Sequence, residues 1–222
     1  MRSASERRFR LIVFDWDGTL SDSTAIIARS LQAALRDMGE PVPDDAAARF
    51  VIGLGLSDAL RTVAPGLAPQ RHRELSAYYR KHYLACEDDI PLFAGADDLL
   101  AELESAGYFI AVATGKSRAG LDRVLVQNSL VGRFHATRCA DEGRPKPHPD
   151  MLLHLMDRLG VEPRETLMIG DTTHDLELAR NAGAAAIAVA YGAHDIEGLA
   201  RAAPLAMIHS IAGLREWLQV NG

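Results

Sequence analysis

Cysteine is scarce in this chain, with only Cys86 and Cys139 among 222 residues. A disulfide framework of the kind that staples small secreted proteins needs more cysteines in a shorter chain. We therefore expect two reduced, partly buried thiols. The composition excludes the class of disulfide-stabilised miniature domains.

The chain also lacks long apolar runs and an excess of positive charge. No stretch approaches the ~20 apolar residues of a membrane span. The charged N-terminus leads into only four apolar residues, Leu11–Phe14, too few for the core of a signal peptide. With 24 Lys and Arg against 30 Asp and Glu, the net charge is −6, which argues against a general nucleic-acid binder. We expect a cytoplasmic protein with no membrane or nucleic-acid partner.

Hydrophobic residues, by contrast, are plentiful at 48% of the chain, enough for one large domain or for a domain that carries a smaller insertion. Apolar runs bounded by turn residues indicate strands buried on both faces. Helical patterns separate these runs, so the predicted fold is α/β, with a doubly wound parallel sheet as a Rossmann-like core. The runs lie at Leu11–Phe14, Phe109–Thr114, Thr166–Gly170 and Ala184–Ala190; a small strand at Leu205–Ile208 and a helix to Trp217 follow.

The interval between the first two runs is too long for a simple crossover, which needs about 30 residues. It has helical patterns and turn signals but no strong strand signal. Ser23 or Asp22 can cap a first helix that stops at Gly39, and Pro43 and Pro69 open two more. We therefore predict a helical cap domain at residues 22–89, inserted into a core formed by residues 1–21 and 90–222.

Polar side chains follow the predicted strands where ligands bind in an open parallel sheet, beyond the carboxyl ends. Four carboxylates meeting at one edge would repel each other unless a divalent cation lay between them, and all-oxygen ligands suit Mg²⁺. A carboxylate can also act as a nucleophile toward phosphate, while a lysine, a hydroxyl and backbone amides stabilise charge on the transferred oxygens. These residues are Asp15, Asp17, Thr114, Gly115, Lys146, Asp171 and Asp175.

Together, Asp15-Trp16-Asp17-Gly18-Thr19, Thr114-Gly115, Lys146 and Gly170-Asp171 with Asp175 resemble the motifs of the haloacid dehalogenase superfamily. The resemblance covers nearly the whole chain, and it is strongest to the branch of phosphoglycolate phosphatases. Trp16 departs from the smaller aliphatic residue usual there, and we expect its side chain to point away from the phosphate. The second aspartate of the first motif is missing in the family's dehalogenases, so its presence argues for a phosphatase.

The resemblance implies a Mg²⁺-dependent hydrolase of small phosphomonoesters that works through an aspartyl-phosphate. Asp15 would be the nucleophile and a metal ligand, and Asp17 the acid and base, binding the metal through its carbonyl. Thr114 would bind phosphate and Lys146 would orient nucleophile and phosphate. Asp171 would ligate Mg²⁺, and Asp175 would do so directly or through water.

Two glycines in Gly53-Leu54-Gly55-Leu56 predict a loop tip within the cap. In similar capped phosphatases such a loop reaches over the active site and selects the substrate, so Gly53 and Leu54 are candidate substrate-binding residues. The tyrosines at 78, 79 and 83 are expected to pack in the cap core.

Other functions remain open at this point. The partner is expected to be a small phosphorylated metabolite, with phosphoglycolate as one candidate, and the protein a monomer or homodimer. A phosphomutase of the β-phosphoglucomutase type shares the fold and all four motifs, although the apolar, glycine-rich loop favours hydrolysis. A non-catalytic binding protein would be expected to have lost a motif, and none is lost.

Overall fold

The structure, a computed structural model, describes residues 7–222. The first six residues of the predicted core and of the charged N-terminus lie outside the described part. Six parallel strands form one sheet in the order β3-β2-β1-β4-β5-β6. Their bounds are Leu11–Phe14 (β1), Phe109–Thr114 (β2), Ala136–Cys139 (β3), Thr166–Gly170 (β4), Ala185–Val189 (β5) and Ala206–Ile208 (β6).

Strand β1 lies at the centre of the sheet, between β2 and β4. Leu11 pairs with Phe109 on one side and with Thr166 on the other. All four β1 side chains are buried, and they alternate between two apolar clusters on opposite faces of the sheet. A strand buried on both faces has to be apolar at every position, which is why this run is so clear in the sequence.

Helices cover both faces, so the sheet is doubly wound as predicted. Helices α5, α6 and α10 pack on one face, and α7 and α8 pack on the other. Short α9 packs beside β5 and α8. Their bounds are Ala96–Ser105 (α5), Arg118–Gln127 (α6), Asp150–Leu159 (α7), Thr173–Ala182 (α8), Ile196–Arg201 (α9) and Ile211–Asn221 (α10).

Four further helices lie between β1 and β2. They surround an apolar cluster of their own that includes Leu31, Leu35, Leu60 and Leu75. Their bounds are Thr24–Asp37 (α1), Asp45–Phe50 (α2), Leu56–Val63 (α3) and Pro69–Leu84 (α4). The boundaries 22–89 of a separate cap domain stay a prediction.

Some predicted elements need correction. Strand β3 was missed because its central residues, Thr137 and Arg138, are polar and only half-buried. Helix α3 begins at Leu56, so the predicted loop ends one residue earlier, at Gly55. Helix α10 runs past Trp217 to Asn221. No helix in the part of the chain described here is long and apolar enough to cross a membrane.

Candidate active site

Asp15 directly follows β1 and is fully buried at the carboxyl edge of the sheet. The Lys146 ammonium lies 2.8 Å from its Oδ1, whereas no hydrogen-bond donor among the described residues reaches its Oδ2. An acceptor oxygen buried without a partner is costly in a resting protein. This oxygen is therefore suited to an electrophile or a cation.

Lys146 is itself fully buried and joins two carboxylates. Its Nζ donates to Asp175 Oδ1 at 2.6 Å in addition to its contact with Asp15. The other oxygen of Asp175 accepts from the Thr172 backbone N–H and hydroxyl, at 3.1 and 2.6 Å. Asp175 thus stabilises the first turn of α8 and also holds Lys146 against Asp15. Helix capping and site chemistry, which look like alternatives in the sequence, are combined in one side chain.

Asp171 follows β4 and is also fully buried. Its Oδ1 accepts from the Thr19 hydroxyl at 2.9 Å, and its Oδ2 accepts from the Ala193 N–H at 2.7 Å. Gly18, at φ +81°, lies so close that a Cβ there would meet Asp171 Oδ2 at 2.1 Å. The glycine of the first motif is therefore required by both backbone conformation and space.

Three of these carboxylates form one cluster. Asp15, Asp171 and Asp175 each offer an oxygen within 4.8 Å of the others. Burial raises the pKa of Asp15 to about 7, against the opposing effect of Lys146, and Asp175 raises it further. Burial, with Asp15 and Asp175 nearby, raises the pKa of Asp171 well above its ordinary value. Such a cluster can hold a divalent cation, which would favour the ionised carboxylates.

Asp17 lies beside a second lysine, Lys116, whose side chain is 9% exposed. Lys116 Nζ is 3.1 Å from Asp17 Oδ1, and the Ser23 hydroxyl donates to the same oxygen at 2.7 Å. Lys116 also donates to the Tyr83 hydroxyl at 2.8 Å. Because both contacts with Asp17 fall on Oδ1, the carboxylate is oriented through one oxygen and Oδ2 is left for another partner.

The link through Lys116 to Tyr83 was not predicted. Lys116 directly follows the Thr114-Gly115 motif, so the sequence places it at the strand end but does not indicate its partners. Tyr83 carries no such signal, since it lies in helix α4 and was expected only in the cap core. Tyr83 is buried, but its hydroxyl contacts a lysine at the carboxyl edge of the sheet, which is called the catalytic edge below.

Thr114 ends β2 and is fully buried, and its hydroxyl accepts from the Lys116 N–H at 3.2 Å. Gly115 follows, packed against the backbone of the predicted specificity loop: a Cβ there would meet the carbonyl oxygens of Leu54 and Gly53 at 2.5 and 2.7 Å. The loop tip thus lies over the end of β2, and the role of Gly53 and Leu54 in substrate binding stays a prediction.

A second contact between the inserted helices and the catalytic edge was missed. The Phe50 carbonyl, at the end of α2, lies 2.9 Å from Nε2 of both His174 and His194. The Phe50 ring stacks on His194, with centroids 5.1 Å apart. Burial, followed by His174, lowers the pKa of His194, consistent with a neutral ring. His174, which lies inside the fourth motif, therefore contacts the inserted helices.

A cleft of about 620 Å³ lies between the inserted helices and the sheet edge. Asp17, Gly115 and Lys116 border it on the core side, and Leu54 and Tyr83 border it on the other. Trp16 points the opposite way, into the core, where it meets the Phe134 ring edge-on. As predicted, its bulk does not enter the cleft.

The sequence model of the family described as "Haloacid dehalogenase-like hydrolase" matches residues 12–189. The chain belongs to this family. The match begins inside β1 and ends with β5, so it spans every motif residue at the carboxyl edge of the sheet.

Two curated relatives of similar length have names that describe phosphatases. The chain is 38% identical over 208 residues to "Probable phosphatase IndB" of Dickeya dadantii, covering 91% of this chain and 90% of the relative. It is 29% identical over 227 residues to "Phosphoglycolate phosphatase" of Vibrio vulnificus, with 98% and 99% covered. The chain is accordingly a phosphatase, a phosphoric monoester hydrolase of the haloacid dehalogenase type.

Solved structures share the fold. A predicted phosphatase from Clostridium acetobutylicum superposes with a TM-score of 0.84 at 24% identity, over 96% of this chain and 99% of the other. A chain named as a β-phosphoglucomutase, from Bacteroides vulgatus, gives 0.84 at 22% identity, over 97% and 91%. One fold therefore accommodates both reactions considered for this chain.

Proposed function

We propose that this phosphatase transfers the phosphoryl group of a small phosphomonoester to Asp15 and then to water. The observation that carries the proposal is the environment of Asp15: a fully buried carboxylate with the Lys146 ammonium 2.8 Å from Oδ1 and, among residues 7–222, no hydrogen-bond donor to Oδ2. A purely structural buried aspartate would be expected to have donors at both oxygens.

In the first step, an oxygen of Asp15 bonds to phosphorus as the bond from phosphorus to the alcohol oxygen breaks. Asp17 gives its proton to that oxygen, so the alcohol leaves neutral. In the second step, Asp17 takes a proton from water, whose oxygen bonds to phosphorus as the bond to Asp15 breaks. Phosphate leaves and both aspartates return to their starting states.

The remaining residues position the phosphoryl group. Lys146 supplies a positive charge beside Asp15, and Asp175 fixes its direction. The Thr114 hydroxyl and the Gly115 N–H are donors for the phosphate oxygens. Ser23 and Lys116 hold Asp17 by one oxygen, which keeps the other free for proton transfer.

Mg²⁺ fits the acidic cluster, because buried carboxylates of raised pKa are stabilised by a cation and all the donors are oxygens. Asp15, Asp171 and the Asp17 backbone carbonyl would hold it. Direct binding by Asp175 would compete with its donors from Lys146 and Thr172, which favours contact through water. When bound, the cation neutralises charge on the phosphate oxygens.

Residues 22–89 would act as the cap, with Gly53 and Leu54 contacting the substrate and the segments 20–23 and 88–95 acting as hinges. The partner would be a small phosphorylated metabolite. Phosphoglycolate is one candidate, because a relative named phosphoglycolate phosphatase matches 98% of this chain. We further propose a cytoplasmic monomer or homodimer without nucleic-acid or membrane partners.

The test is to trap the phosphorylated aspartate. Phenyl phosphate and Mg²⁺ are mixed with the protein, the reaction is quenched within one turnover, and Asp15 is examined by peptide mass spectrometry. A phosphoryl group on Asp15 is expected. A phosphoryl group elsewhere, or steady turnover with no phosphorylated protein at any quench time, would contradict the proposal.

A phosphomutase is the second candidate, favoured by the fold shared with the β-phosphoglucomutase-named chain. It would return the phosphoryl group to a sugar instead of water. Measuring phosphate release and sugar-phosphate isomerisation in the same reaction separates the two. We expect phosphate release without isomer.

A further inference from the structure

The cleft beside Asp17 is large for a leaving group as small as glycolate. Its volume of about 620 Å³ falls in the range of roughly 300–1,000 Å³ that suits drug-sized ligands. The side formed by the inserted helices is mostly apolar. The residues there include Leu31, Ile52, Leu54, Leu56 and Leu60.

The cations that line the cleft are mostly occupied. Lys116 is held by Asp17 and Tyr83, and Arg123 is paired with the buried Glu87 at 2.9 Å. Among the cleft residues, all of which lie in the described part of the chain, Arg80 is the cation without a carboxylate partner, and it is exposed. A carboxylate next to the scissile bond, as in phosphoglycolate, would compete with Asp17 for Lys116.

The cleft also has an aromatic edge. Tyr79 and Tyr83 line it as a stacked pair, with ring centroids 5.8 Å apart and an interplanar angle of 17°. Aromatic side chains bury large apolar areas and bind planar rings through stacked or edge-on contacts. This edge begins at Tyr83, whose hydroxyl contacts Lys116, so a ring there would lie near the acid that protonates the leaving oxygen.

From these observations we propose that the preferred substrate is the phosphomonoester of an alcohol larger than glycolate that carries an apolar or aromatic ring. The phosphate lies at Asp15, and the ring occupies the cleft between the leucines of the inserted helices and α6. The inference rests on the proposed function and narrows its substrate class. Burial of the apolar ring favours the larger substrate, because most cations of the cleft are already paired with carboxylates and are less available to a small anion.

The test compares esters that differ in size but little in leaving-group acidity: 1-naphthyl with phenyl phosphate, and 2-phenylethyl with ethyl phosphate. Phosphoglycolate and glucose 6-phosphate are assayed beside them. The larger member of each pair is expected to have a kcat/KM about ten-fold higher, from burial of the added ring. The kcat/KM for phosphoglycolate is expected to be lower than that for 2-phenylethyl phosphate.

A cleft-narrowing variant locates the effect. Ala119 lines the cleft from α6 and is exposed, so Ala119→Trp places a ring in the space without disturbing the core. We expect the ratio of naphthyl to phenyl kcat/KM to fall about ten-fold. Val126→Trp, on the same helix at a residue 68% exposed and outside the cleft lining, should leave the ratio unchanged.

Three outcomes would overturn the inference. The first is an equal kcat/KM within each pair of esters, and the second is a higher kcat/KM for phosphoglycolate or glucose 6-phosphate than for 2-phenylethyl phosphate. The third is a naphthyl-to-phenyl ratio of kcat/KM that Ala119→Trp does not change. Each leaves the phosphatase chemistry intact, because phenyl phosphate turnover and its loss in Asp15→Asn report that chemistry separately. If the unaltered protein did not hydrolyse phenyl phosphate, that result would instead count against the proposed function.

Discussion

The side chain of Asp15 is held in conditions that a carboxylate ordinarily avoids. It is buried, near two other carboxylates, with a pKa raised to about 7. Lys146 offsets part of this cost at one oxygen. This cost is offset when Oδ2 bonds to phosphorus and when the acidic cluster binds a cation. A substitution of Asp15 is therefore the most direct test of the proposed mechanism.

Asp15→Asn should abolish phosphate release while the protein stays folded. An amide is a poor nucleophile of nearly the same size, so we expect a loss of about 10⁴-fold or more in kcat. Phosphate release and circular dichroism measure the two expectations. Asp98→Asn, at an exposed residue of α5, is the matched control. A variant that keeps a tenth of the rate would show that Asp15 is not the nucleophile.

Lys116→Met should harm reactions that need a proton more than those that do not. Without the ammonium, Asp17 Oδ1 keeps only the Ser23 hydroxyl, so its orientation toward the leaving oxygen loosens. General acid catalysis contributes about 10²–10⁴-fold, so alkyl phosphates should lose at least about ten-fold more kcat than p-nitrophenyl phosphate, whose leaving group needs no proton. Stopped-time phosphate assays on both substrates give the comparison.

Tyr83→Phe is the companion variant, since it removes one contact of Lys116 and leaves the ammonium beside Asp17. A smaller effect than that of Lys116→Met is expected. Equal losses for alkyl and aryl esters in Lys116→Met would mean that the lysine acts only on folding or binding.

Sequence reasoning at this scale named the residues that the structure brings together at the carboxyl edge of the sheet, and it missed residues that contact them. Asp15, Asp17, Asp171 and Lys146 have residue types and places that phosphoryl transfer demands. Tyr83 and His194 depend on how the inserted helices meet the sheet edge, and no local pattern encodes that distance.

At the scale of elements, the contact between the loop at residues 51–55 and the end of β2 is backbone against backbone. Gly115 has no room for a methyl group, because the Leu54 and Gly53 carbonyls would lie within 2.7 Å of it. Backbone cannot move aside as a flexible side chain can, so this contact fixes how closely the inserted helices approach the catalytic edge.

Gly115→Ala should therefore displace the loop. We expect faster hydrogen exchange in residues 51–55 and a fall of about 10²-fold in kcat/KM, because a misplacement of about 1 Å costs roughly that much. Exchange mass spectrometry and phosphate release are the measurements. Gly66→Ala, at a glycine with open space around it, is the control, and identical exchange in the two variants would contradict the contact.

The elements themselves were predictable in proportion to their burial. Strands β1, β2 and β4 lie inside the sheet and are apolar except for a threonine at one end of β2 and of β4, so the runs are plain in the sequence. Edge strand β3 has the polar residues Thr137 and Arg138 half-exposed at its centre, so it has no apolar run and was not predicted. Helix α3 was not predicted, because the glycines that precede it in the sequence suggested a longer turn than the chain forms.

At the scale of the molecule, the acidic cluster links stability to pH and to metal. The pKa values of Asp15 and Asp171 are raised by folding, so the folded state binds more protons than the unfolded state at intermediate pH. Without a divalent cation, the free energy of unfolding should therefore fall as pH rises from about 4 toward 7. Mg²⁺ requires the ionised carboxylates and should reverse this trend.

We expect Mg²⁺ to raise the melting temperature more at pH 8 than at pH 5. At a concentration of 100 times Kd the stabilisation is about 2.7 kcal/mol, or about 5–10 °C for a protein of this size. Differential scanning fluorimetry with Mg²⁺ or EDTA measures the shift, and phosphate release in EDTA should be lost. Asp171→Asn should reduce the shift. Full activity in EDTA would rule out the metal assignment.

The central place of β1 has a consequence for how the chain matures on the ribosome. Leu11–Phe14 emerges before its two partners, Phe109–Val112 and Thr166–Ile169, which are synthesised about a hundred and a hundred and fifty residues later. Until then the most apolar strand has no neighbour, and such long-range pairing makes folding slow and leaves a strand edge open to association. The inserted helices, with short-range contacts and a core of their own, can form first.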